Sequence, residues 1–130
     1  MKQIEKTSTM HSLCTKINGE LQRSGYFLSE EDIKCLRKSQ IEACKLHQMI
    51  DFDSHILFDL ANIFQESPYI RYDTFVNCIK EILYIYYGVR RVDHEHDDHE
   101  VVMIIYEQYI IHHGIIDAAL LQDCIKAVKK

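Results

Sequence analysis

Asp93-His94-Glu95-His96-Asp97-Asp98-His99-Glu100 sets three imidazoles and five carboxylates side by side in eight residues. Both group types are ligands for zinc, nickel, manganese or iron. His94, His96 and His99, with their neighbouring carboxylates, are therefore a candidate site for a divalent transition metal. If a helix begins near Asp97, His99 and Met103 share a face with Asp97 and Glu100 beside it, and His94 or His96 must fold back from the loop to complete a ligand set. The spacing does not match H-E-x-x-H, and as a calcium loop the stretch lacks the central glycine and the closing glutamate. His112 and His113 lie about thirteen residues beyond His99, roughly 20 Å along a helix, so only an antiparallel dimer would bring them to it. Without a metal, the stretch is a solvated acidic turn whose carboxylates favour the positive end of a helix. Its histidines would then gain charge as pH falls toward the ordinary imidazole value of about 6.5.

Other chemistry is sparsely represented. Cys44 near His47 is the best pairing for a nucleophile and its base. However, Cys44 falls on the inward face of an amphipathic pattern, where a small buried thiol is expected, and no third group is placed to orient the histidine. There is no Gly-rich phosphate loop, nucleophile elbow or dinucleotide fingerprint, so no catalytic residue and no organic cofactor is assigned. Five of the eight tyrosines, Tyr84, Tyr86, Tyr87, Tyr106 and Tyr109, fall within two apolar segments. They read either as core side chains with hydroxyls reaching the surface or as a protein interface, with Tyr84, Tyr87, Tyr106 and Tyr109 as the candidate contacts.

The elements that must carry these residues read as helices. Met10, Leu13, Cys14, Ile17 and Leu21 repeat at helical spacing, with Thr7 or Ser8 placed to cap the start and Gly25 to end the run. Ser29 can cap a second helix reaching about Leu46, with Leu28 stapled onto Ile33; its thin apolar stripe predicts a peripheral position. Asp53 or Ser54 can cap a third, on which Ile56, Leu57, Leu60, Ile63 and Phe64 form a core-facing stripe ended by Ser67-Pro68. After Asp73, the spacing of Phe75, Val76, Ile79, Ile82, Leu83 and Tyr86 predicts a fourth helix closed by Gly88. The third and fourth should form a helical hairpin.

Asp97 and Glu100 make an N-cap and N3 pair for a fifth helix running to His113-Gly114. It is apolar nearly all round, hence central in the bundle or pressed against a second copy. Asp117 can cap a sixth, with Leu121, Cys124, Ile125 and Val128 inward and lysines at its negative end. Ile82 to Val89 and Val101 to Ile111 are also rich in strand-favouring side chains, but their spacing and length fit helices better.

At 130 residues the chain is about one domain, with 47% apolar and 27% charged residues, and only Pro68 and four glycines interrupt it. That composition leaves little room for the turns of a sandwich or barrel. The expectation is all-α, one compact bundle of about six helices over residues 1–130. The net charge is −5 with scattered basic residues, which argues against a nucleic-acid surface. No apolar run suits a signal peptide or a membrane span, so a cytoplasmic protein with no membrane partner is expected. The five cysteines are odd in number, contain no C-x-x-C pair and read as reduced thiols.

Leu28-Ser29-Glu30-Glu31 opening a helix, Ile50-Asp51-Phe52 leading into Ile56-Leu57, Ser67-Pro68-Tyr69-Ile70, and the run Ile82-Leu83-Tyr84-Ile85-Tyr86 carry a resemblance. From Leu28 to about His113 the chain resembles a Firmicutes family of short proteins known as a domain of unknown function, and Ser-Pro-Tyr-Ile is its most specific piece. Members have glycines where this chain has Asp53-Ser54-His55, and a shorter, less histidine-rich version of the 93–100 turn. The resemblance implies a helical, cytosolic, bacterial domain and transfers no catalytic residue, cofactor or partner. Taken together, the residues point to a non-enzymatic helical protein that binds another protein, or itself as a homodimer. The alternative is a metal-binding protein built on the 93–100 turn.

Overall fold

The computed structural model describes residues 2–49 and 55–129, with side chains from His11 onward. It is an all-helical bundle: α1 (Lys2–Leu21), α2 (Glu30–Leu46), α3 (His55–Phe64), α4 (Phe75–Val92), α5 (Asp98–Ile111) and α6 (Ala118–Val128). Short 3-10 turns, Gln22–Ser24 and Tyr72–Thr74, prolong α1 and introduce α4. No strand occurs among the described residues.

Local chemistry sets most helix ends. Ser29 and Asp32 close a capping box on α2, Asp97 and Glu100 close one on α5, and the Asp117 carboxylate accepts from Leu120 N–H at the start of α6. Each arrangement satisfies backbone donors that a helix start leaves bare. Leu28, ahead of the α2 cap, is buried like Ile33. α1 begins at Lys2, well before Thr7 and Ser8, and Gly25 ends its 3-10 extension at φ +72°. The expected cap of α3 at Asp53 or Ser54 lies outside the described residues.

α4 is the central rod: from Ile85 to Val89 every residue is buried, and α2, α5 and α6 all pack on it. That reverses two expectations. α2 is not peripheral but lies along α4, because Ser39 and Ala43 are small enough for a close approach and buried Gln40 donates to the Tyr87 hydroxyl at 2.8 Å. Nor do α3 and α4 pair as a hairpin: α3 lies mainly against α1 and α5. The segment between them is anchored at buried Ser67, which bonds Tyr109 of α5, and at buried Ile70, whose carbonyl accepts from the Tyr26 hydroxyl.

Gly88 does not end α4, which continues to Val92. A β-carbon there would sit 2.9 Å from Leu121 Cδ1 and 3.3 Å from His47 Cε1. The glycine is a point of close approach for α6 and the end of α2, not a stop.

α5 packs on α3, α4 and α6. Val101, Val102, Ile105 and Tyr109 are buried and Ile104, Tyr106 and Ile110 half-buried, whereas Ile111 is 64% exposed. The helix ends in a Schellman turn, with His113 N–H donating to Ile110 C=O and Gly114 N–H to Tyr109 C=O, both at 3.0 Å.

Candidate functional site

The α4–α5 turn carries a polar network that Arg90 organises. Its guanidinium donates to the His96 carbonyl at 2.6 Å and lies 3.8 Å from Asp93 and 3.3 Å from Asp98. The Tyr86 hydroxyl donates to the same Asp98 oxygen at 2.8 Å. Asp93 is buried, and its two oxygens face the His96 ring nitrogen at 3.0 Å and the His96 backbone N–H at 3.3 Å. Burial pushes the Asp93 carboxyl upward, but the bonds from His96 outweigh it and hold the group below its ordinary value. The hydrogen bond to Asp93 raises His96 in turn, with Glu100 and Glu95 adding to the effect against some desolvation. A charged pair, each partner stabilising the other's ionised form, is the physical content of both shifts.

The three histidines read from the sequence as a metal set do not converge on one point. His96 closes onto Asp93, whereas His99 Nδ1 lies 3.3 Å from Asp59 Oδ2 on α3. His94 is exposed and lines an open groove together with Asp93, Glu95, His96 and Lys129. Among the described residues, no three histidine, cysteine or carboxylate side chains converge as a metal centre requires. His112 bonds Asp123 of α6 at 2.7 Å, and His113 lies against the Tyr69 ring. Sequence reasoning missed Arg90 as the organiser, because a lone arginine ahead of an acidic run carries no signal of which carboxylates it will gather.

The four interface tyrosines divide in two. Tyr87 and Tyr109 are core side chains with no exposed surface to offer, their hydroxyls bonded to Gln40 and to Ser67 at 2.8 Å each. Tyr84 and Tyr106 are half-buried, and Tyr106 meets Phe64 edge-on at 5.1 Å. The apolar side chains that do face outward are others: Phe27, Leu46, Tyr69, Tyr72, Val92, Ile111 and Ile115. Of these only Ile111 belonged to the apolar run picked out in the sequence, since exposure depends on which helices cover a face and not on residue type.

Three of the five thiols are withdrawn from solvent, whereas Cys35 is exposed and Cys14 half-buried. Cys44 is fully buried, and burial pushes the Cys78 and Cys124 thiols up to about 12. The Ser67 hydroxyl is engaged both by Tyr109 and by the Tyr69 N–H at 3.1 Å. That double contact fixes the Ser67-Pro68-Tyr69-Ile70 turn on the end of α5, where a β-carbon on Gly114 would lie 2.5 Å from Tyr69 Cβ.

The model of a family of unknown function, DUF6323, matches residues 13–129. The chain belongs to that family. The match takes in all of α2 to α6 and the second half of α1, so the turn, the Ser67 anchor and the exposed isoleucines all fall within DUF6323. No curated protein and no solved structure matches the chain. No helix among the described residues is long and apolar enough to cross a membrane.

Proposed function

We propose that this member of DUF6323 is a non-enzymatic module that works by binding a protein surface, a second copy of itself included. The observation that carries the reading is the C-terminal end of α5. Ile111 is 64% exposed and Ile115 is 59% exposed, and both flank a turn tightly fixed by Gly114 and Tyr69. Apolar side chains held rigidly in water lose little freedom when a partner covers them, which is what a contact surface needs. The burial of Cys44, Cys78 and Cys124 and the engagement of the Ser67 hydroxyl support the non-enzymatic part, because an attacking group has to be ionisable and within reach of its substrate. The resemblance carried by Ser67-Pro68-Tyr69-Ile70 directs the search for the partner to the cytoplasm of a Firmicutes cell.

The experiment is site-specific photo-crosslinking in host cells, with the reactive side chain at Ile111, at Ile115, and at exposed Lys34 of α2 as control. The reading expects one discrete adduct of the same mass from both isoleucines and none from position 34. Adducts no different from those at position 34 would overturn it. A metal role for His94, His96 and His99 draws no comparable support, since no three ligand side chains converge among the described residues.

A further inference from the structure

His47 ends α2 as its C-cap, and its ring fills the niche left by Gly88, with Leu121 of α6 alongside. The Nδ1 atom is fully enclosed and has no hydrogen-bond partner. Around the ring, α4 presents the Arg91 guanidinium and the Tyr84 backbone, and Leu121 of α6 shares the Gly88 niche. No described carboxylate lies within ion-pair distance of the imidazole. The Tyr84 backbone and the carbonyl end of α2 both favour a cation there.

Whichever nitrogen holds the proton of the neutral ring, a doubly protonated imidazole must carry an N–H at Nδ1. That N–H would be buried without an acceptor and would bring a second positive charge beside Arg91. We propose that His47 is an acid-sensitive wedge: gaining a proton, its ring leaves the Gly88 niche and frees the C-terminal turn of α2 from α4 and α6. Burial first, and Arg91 second, hold the group below its ordinary value, in keeping with that placement. The sign follows: the unfolded or opened chain takes up the proton more readily, so the closed turn is favoured above about 6.5 and is lost as pH falls below it.

The turn has its own reporters. Gln48 N–H donates to Lys45 C=O at 3.1 Å, and Met49 N–H donates to Cys44 C=O at 2.8 Å. Their hydrogen-exchange protection, corrected for the intrinsic pH dependence of exchange, is to be compared between pH 7.5 and pH 5 in the wild type, His47→Phe and Arg91→Gln. The wedge predicts a severalfold loss of protection at low pH in the wild type. Protection in His47→Phe, whose ring fills the niche without titrating, should not depend on pH. In Arg91→Gln, altered at an exposed position, the closed ring takes up its proton more readily, so the loss should be smaller. Protection that stays constant in the wild type, or that falls equally in His47→Phe, would overturn the proposal. Should the phenylalanine variant fail to fold, an undiminished loss in Arg91→Gln overturns it independently.

Discussion

Gln48 holds φ at +58° just past the end of α2, the position where the Schellman turn calls for a left-handed residue. An L side chain there costs about 1 kcal/mol that glycine does not incur. Gln48 is exposed and makes no contact worth that cost, so Gln48→Gly should stabilise the protein by about 1 kcal/mol, read as a rise in the urea midpoint at unchanged slope. An unchanged or lower midpoint would refute the strain argument. Features of this size divide cleanly by legibility. The caps at Ser29, Asp97 and Asp117 are visible in the sequence because donor and acceptor lie three residues apart. The Ser67 to Tyr109 bond spans 42 residues, and no spacing rule announces it. The same distance hides why Ser-Pro-Tyr-Ile is built as it is: its serine is a tertiary anchor as well as a helix stop.

Between elements, close approach and charge decide the behaviour. Gly114 has φ +79°, and a β-carbon there would come 2.5 Å from Tyr69 Cβ, an atom fixed to the backbone that cannot swing away. Gly114→Ala therefore combines backbone strain with a clash and should cost about 2 to 3 kcal/mol. Loss of the Tyr69 to His113 ring contact in aromatic NMR shifts would show that the turn has come off α5, and a cost below about 0.5 kcal/mol would count against the packing described. The α4–α5 turn responds to pH instead. His96 is raised by Asp93, so its contribution is complete below the ordinary imidazole value of about 6.5 and fades as pH climbs through the folded value. Amide exchange at His96 should therefore quicken on the alkaline side, beyond the intrinsic trend, and His96→Gln should abolish that extra dependence. An imidazole titrating at or below its ordinary value would contradict the geometry. Helix existence was readable here from apolar spacing, whereas partnership was not: α2 and α3 each found neighbours other than those expected. Gly88, the glycine that looked like a stop, marks where α6 and His47 come closest to α4.

Across the whole molecule, the composition and the scarcity of breakers were enough to indicate a helical bundle, since each amphipathic stripe must find cover. They did not say which helix would have a stretch covered on every side. α4 took that place, and α5, apolar nearly all round, was left with one end in water. That remainder gives the last prediction. Ile111→Lys with Ile115→Lys removes apolar surface that no neighbour in the chain covers, so the stability of the isolated protein should change by less than about 0.5 kcal/mol. A lysine at the end of α5 also meets the negative pole of the helix favourably. Binding should respond quite differently. If these side chains anchor a partner, burying two ammonium groups in their place should weaken the complex by at least about tenfold each. Thermal melts and native mass spectrometry of the same pair of proteins separate the two effects. Stability kept with the complex lost assigns both isoleucines to recognition. Stability lost by more than about 1 kcal/mol would mean that the chain itself uses them, and a complex retained at full strength would move the contact elsewhere on the molecule.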